Sequence, residues 1–421
     1  MTCKNLHKCR QTDYYRAPGF GSMQPVMIYQ PRILGPESRT AFVLCHSDDD
    51  YIEFLPAPEL AKRGYTVIAT HVRESQIPLE EKMLQVGQVV DFIKNYPGID
   101  KVLLLGHSGG ATLMSAYQNV AENGNATFQG PERIYKLPEI AKLTPADGVV
   151  LMDSNYGNGA MSLMSIDPAI VDENTGEKDP ELDLYNPANG FDPEGCHYSD
   201  AFMRKFWTAQ AERMNRLIAY CQERVALIDA GKGRFVDDEP ISIPGGTQFG
   251  PVNKMVQQVP SVLSHTKEER DLLHADGTIT HEIVHCLRGF NKGMNAANSY
   301  KNILNTSVRT FLASSALKAD PSVYALTEDE MVGCDWRSSY CTTIGNVDGI
   351  HVPFLTMGMT GSHEYLASEH IIRRVASEDK TVCFVEAAGH NFELARHLKG
   401  QYPDPVKACF DYVAEWTGAR F

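Results

Sequence analysis

Between residues 40 and 155 short apolar runs alternate with amphipathic stretches. Residues 41–45, 65–70, 102–105 and 147–153 are continuously apolar or nearly so, which predicts strands buried on both faces. Between them, residues 52–63 read as a helix stopped at Gly64. Residues 80–95 carry Met83, Val86, Val90 and Ile93 at helical spacing ahead of Pro97-Gly98. Strand and helix in turn predict a mostly parallel sheet wrapped by helices. The alternation stops near residue 155 and resumes after 349, with strands at 352–357 and 381–386 and helices at 368–376 and 405–417. The stretch between is rich in Asn, Gly, Pro and Asp, then dominated by one long helix over 199–230 with Met203, Phe206, Trp207, Met214, Leu217, Ile218, Cys221 and Val225 on one stripe. Residues 1–154 and 348–421 are therefore read as the sheet-bearing core, and 155–347 as a mainly helical cap inserted between sheet strands, over their carboxyl ends.

At 421 residues with 43% hydrophobic content, the chain can fill a large core. The formal net charge of -14 argues against nucleic acid as a partner, because phosphate binding needs clustered Lys and Arg. No apolar stretch is long enough to span a bilayer and the first ten residues lack an apolar leader core, so a cytoplasmic location is expected. The ten cysteines are scattered and read mostly as reduced core residues. Cys3 with Cys9 and Cys334 with Cys341 are the close pairs, and neither has Cys-x-x-Cys spacing.

The chemistry is concentrated in Gly106-His107-Ser108-Gly109-Gly110. The apolar run before it and the helical residues 111–117 after it place Ser108 at a strand-to-helix corner. Gly106 and Gly110 stand where strand and helix backbones approach too closely for a side chain. A serine hydroxyl is a weak nucleophile and needs a base, usually a histidine held by a carboxylate.

This order of parts, ending in a strand followed by Ala387-Ala388-Gly389-His390-Asn391-Phe392, resembles the α/β-hydrolase superfamily over about residues 25–155 and 348–421. The resemblance implies His390 as the base and, after the strand at 352–357, Glu364 as the acid. Asp153, at the end of the strand that follows the elbow helix, is the alternative acid. It also implies an oxyanion hole from the Gly109 N–H and a second donor at Ser47 or Asp48. Asp48, Asp49 and Asp50 are expected to face water or cap a helix near Ile52. His46, Asn155, Tyr156 and Trp207 are the candidate substrate-binding residues, with His107 as a support.

The expected activity is serine hydrolysis of a carboxylic ester, lactone or related acyl bond of a bulky small molecule, with no metal or cofactor. Acyl transfer and carbon–carbon bond hydrolysis use the same residues and stay open, as does a non-catalytic binding protein on this scaffold. Partners are expected to be the small ester or lactone and, at most, a second copy of the chain in a homodimer. His281-Glu282-Ile283-Val284-His285 matches a zinc-protease pattern by letter. Its β-branched residues read as a strand, however, which sets the two histidines about 13 Å apart, beyond reach of one ion.

Overall fold

The computed structural model describes residues 13–21, 24–74, 77–248, 254–290 and 302–421. The N-terminal ten residues, with Cys3 and Cys9, lie outside them.

Each apolar run becomes a strand because both of its faces find cover. In chain order the strands are β1 (Tyr14–Gly21), β2 (Gln24–Pro31), β3 (Thr40–Leu44), β4 (Thr66–Thr70), β5 (Lys101–Ser108), β6 (Gly148–Ser154), β7 (Pro240–Pro244), β8 (His265–Leu273), β9 (Ile279–His285), β10 (Ile303–Ser307), β11 (Ala325–Leu326), β12 (Met331–Val332), β13 (Phe354–Met359) and β14 (Lys380–Val385). Among the described residues ten of them form one sheet in the order β1-β2-β4-β3-β5-β6-β13-β14-β8-β9. The pairings from β4 through β8 are parallel, and the outer pairs β1/β2, β2/β4 and β8/β9 are antiparallel. This is the mostly parallel sheet, flanked by helices, that the alternating pattern predicts. The N-terminal strand β1, which the sequence pattern does not reveal, pairs with β2 along its full length.

The helices are α1 (Pro56–Lys62), α2 (Leu79–Lys94), α3 (Gly109–Asn123), α4 (Asn158–Ser165), α5 (Asp200–Asp229), α6 (Val308–Ser314), α7 (Thr343–Asn346), α8 (Ala367–Arg374) and α9 (Val406–Gly418). Helix α1 starts four residues later than expected, with a proline in its first turn, where the missing N–H costs nothing. Alternate strand residues feed two cores. Phe42, Leu44, Leu103, Leu105, Val150 and Met152 pack with Leu60 of α1 and Trp416 of α9. Ala41, Val43, Val102, Leu104, Val149 and Leu151 face the other way, onto α2 and α3.

The inserted segment carries strands as well as helices. Helix α5 is present, capped by the Ser199 side chain. Its Phe206 and Met214, however, belong to the same continuous core as α2 and α3. More decisively, β8 and β9 extend the main sheet, with Leu272 and Leu273 paired in parallel to Phe384 and Val385 of β14. The insert thus contributes two strands to the main sheet. The described cysteines, Cys334 and Cys341 among them, are free thiols. Among the described residues no helix is long and apolar enough to cross a membrane.

Candidate active site

Strand β4 lies on one side of β3 and β5 on the other, so the connections leaving β3 and β5 diverge and open a crevice at the carboxyl ends of these strands. Ser108 stands on that edge. It closes β5 and precedes α3 with φ 52° and ψ -127°, a left-handed conformation unusual for a residue with a β-carbon. Holding it costs about 1–3 kcal/mol, and packing has to supply that. The close approach expected here is present: a β-carbon on Gly106 would meet the Ala111 Cα at 2.7 Å, and one on Gly110 would meet the Cys45 carbonyl oxygen at 2.6 Å.

His390 reaches the same crevice from the loop after β14. Its Nδ1 is 2.7 Å from Asp153 Oδ2 and 3.4 Å from Glu364 Oε2. The nearer partner is the alternative acid, and the preferred one takes the longer contact. Asp153 is fully buried at the end of β6, with φ 42°, and its Oδ1 accepts the Met359 N–H at 2.9 Å. The ring of His390 feels opposing influences. Burial disfavours its charge, but Glu364 and Asp153 outweigh that and push its pKa up to about 9. The Glu364 carboxyl is raised mainly by burial, with Asp153 adding to it, while His390, Lys254 and the Ser108 hydroxyl oppose.

His107 ties three loops together. Its Nε2 is 2.7 Å from the His390 carbonyl oxygen and its Nδ1 is 2.6 Å from the Tyr51 hydroxyl. A carbonyl only accepts, so Nε2 carries the proton and Nδ1 accepts from Tyr51. Burial and the neighbouring His390 hold this ring well below the usual histidine range, so it stays neutral. The elbow therefore grips the main chain of His390 directly. Tyr51 has no sequence signal that distinguishes it, because its role depends on the fold bringing residues 51, 107 and 390 together.

The oxyanion loop corrects one expectation. The amides of Asp48 and Asp49 both donate to His46 Nδ1, at 3.0 and 2.9 Å, so the Asp48 N–H is already engaged. Of the three expected backbone donors, Ser47 and Gly109 stay candidates. With Nδ1 accepting, the His46 proton sits on Nε2, which lies 3.3 Å from where a β-carbon on Gly109 would stand. Burial pushes this ring down to about 4, against Asp48 and Asp49, and it is neutral at physiological pH. Asp48 does not face water either: its carboxylate pairs with the buried Lys82 of α2 at 3.0 Å. Asp50 accepts the Ile52 N–H at 2.9 Å, a local turn bond.

A cavity of about 310 Å³ opens at His390 and is lined also by Arg288, Phe290, Ser362, His363 and His397. Asn155, Tyr156 and Trp207 do not line it. Asn155 Oδ1 is spent on the Gly157 amide at 2.9 Å, Tyr156 packs edge-on against His370, and Trp207 sits in the core stripe of α5. On β9, His281 and His285 stand four strand residues apart, so the zinc-protease geometry is not formed. The ligating atoms of Asp153, Glu364 and His390 lie within 4.8 Å of one another. His390 Nδ1 is hydrogen-bonded to Asp153 there.

No family model matches the chain. No curated protein matches it in sequence. Solved structures to which the chain is similar include esterase B from Lactobacillus rhamnosis, 10% identical over 99% of this chain and 89% of that one, with a TM-score of 0.42. An esterase/lipase from an uncultured bacterium is 8% identical over 97% of this chain and 85% of its own, with a TM-score of 0.43. An α/β hydrolase from Penicillium sp. sh18 is 10% identical over 97% and 98%, with a TM-score of 0.42.

Proposed function

We propose that this protein is a serine hydrolase that cleaves a carboxylic ester, lactone or related acyl bond of a small molecule through an acyl-enzyme. The observation that carries the reading is the strained Ser108 at the strand-to-helix corner, joined through His107 to a histidine whose Nδ1 is held by a buried carboxylate. With Nδ1–H fixed on Asp153, the His390 Nε2 lone pair is left for the serine proton.

In this mechanism Ser108 Oγ attacks the carbonyl carbon while His390 Nε2 takes its proton. Negative charge develops on the carbonyl oxygen, and the amides of Gly109 and Ser47 meet it, with the His46 Nε2–H as a third donor in reach. Collapse breaks the acyl–oxygen bond, and His390 returns the proton to the leaving alcohol. Water, deprotonated by the same nitrogen, then attacks the acyl-enzyme; the acid leaves and Ser108 recovers its proton. Asp153 keeps its negative charge throughout and stabilises the imidazolium that forms. The cavity at His390 would receive the substrate. Acyl transfer differs only in that an alcohol replaces the water.

A fluorophosphonate probe should label the protein at Ser108. Ser108→Ala should abolish labelling and lower ester hydrolysis at least about 1,000-fold while the circular dichroism spectrum and melting temperature are kept. Hydrolysis within tenfold of the parent in that variant, or labelling elsewhere, would remove the mechanism.

A further inference from the structure

Two strands deliver a carboxylate to one nitrogen, although orienting a catalytic histidine needs only one. Asp153 meets that need, with one oxygen on the Met359 amide and the other on His390. Glu364 is placed otherwise. It is 6% exposed, and its Oε2 makes no hydrogen bond although it lies 3.4 Å from His390 Nδ1. Its Oε1 is 3.6 Å from His363 Nε2, itself buried without a hydrogen-bond partner. The Ser108 hydroxyl is its hydrogen-bonding neighbour, yet a buried carboxylate oxygen left without a bond costs free energy unless a cation faces it or it takes up a proton.

The charged and titratable groups around it are few and come from separate elements. The Lys254 ammonium and the His390 ring favour its charge, and Asp153 opposes it. The Ser108 hydroxyl lies against it, and the Tyr51 phenol and His363 are close by, with Arg288 beyond His363. Lys254 is buried and bonded to the Gln248 carbonyl, and burial lowers its pKa to about 8 against the pull of Glu364.

We propose that Glu364 is a positioning residue that acts through His390: as a second carboxylate on Nδ1, it holds the resting imidazole doubly protonated and releases the base only in alkaline solution. The proposal rests on the Ser108–His390 reading and adds its regulation by pH. With both carboxylates in place His390 is pushed up to about 9, so most of the free enzyme at pH 7 lacks its base. When the proton leaves Nε2, the ring stays on Asp153 through Nδ1–H. Glu364 then faces a neutral ring.

The wild-type kcat/KM should rise about 50-fold from pH 7 to pH 9 and level off above about pH 10. In Glu364→Gln the inflection should fall by at least about one pH unit, so the variant outruns the parent about tenfold at pH 7 and loses that lead above pH 9. A purely structural role would change kcat equally at every pH. Histidine NMR titration in a Ser108→Ala background reads the same proton without turnover. His390, identified by its loss in His390→Gln, should titrate near 9 and fall by a unit or more when Glu364→Gln is added. An unmoved titration overturns the proposal. So does a loss of more than about 1,000-fold across the whole pH range, which would make Glu364 the orienting acid. If Glu364→Gln does not fold, Glu364→Ala is judged by the same titration. A protein that hydrolyses no ester while His390 still titrates near 9 would sink the hydrolase reading and leave this one standing.

Discussion

The end of β6 and the turn after β13 both present an acid to His390, and they are finished differently. At β6 the backbone accepts a left-handed residue so that Asp153 can place one oxygen on a main-chain amide and the other on the imidazole. At the turn after β13 the local bond is spent on the backbone, where the Glu364 amide donates to Ser362 Oγ, and the carboxylate oxygen nearest His390 is left without a hydrogen bond. Strain is tolerated where fixed hydrogen bonds define a direction, and such a group orients. A carboxylate held near by the Ser108 hydroxyl and the Lys254 ammonium brings charge to the imidazole without fixing its direction, and it tunes.

The sharpest break of this contrast is Asp153→Asn. An amide there can no longer fix Nδ1–H, and kcat should fall about 10,000-fold with little change in fold, measured by steady-state hydrolysis across pH. Retention of a tenth or more of the activity would mean that the longer Glu364 contact can orient the ring by itself. A smaller effect is expected on the serine side. Removing the third donor with His46→Phe should lower kcat about 10- to 100-fold and leave the Glu364-dependent inflection where it was; a shift of that inflection would mean that the two sides of the site are not independent. The mildest change is Tyr51→Phe, which leaves the buried His107 Nδ1 without its donor. A stability loss of about 1–3 kcal/mol is expected in urea denaturation, with only a few-fold fall in kcat, because His107 Nε2 still holds the His390 carbonyl.

Ser108, Gly106 and Gly110 were legible because their signal is local: a corner between a buried strand and a helix demands those residue types within a few positions. His390 was legible from the strand ahead of it. The choice between acids was not, for a geometric reason. Strands β6 and β13 are adjacent and parallel, with Met152 beside Met357, so their ends lie on the same edge and both following residues arrive at the crevice. Sequence order places two carboxylates there and says nothing of which reaches farther. Strand β9 could be read from its β-branched residues, but its partner could not. Strand β8, His-Thr-Lys-Glu-Glu-Arg-Asp-Leu-Leu, is polar for most of its length because only its last two residues enter the parallel ladder. Asn155, Tyr156 and Trp207, which do not line the cavity at His390, show a similar limit. An aromatic or amide residue in an apolar stretch carries no mark that separates a packed interior from a ligand wall.

The β8–β9 hairpin also bears on how the molecule behaves beside copies of itself. Without it, β14 would offer the open backbone of Phe384 and Val385, both fully buried, as a template for any passing extended chain. With it, the outermost ladder on that side is β9, which turns His281 and Glu282 to solvent, and charged rims of this kind discourage strand addition and aggregation.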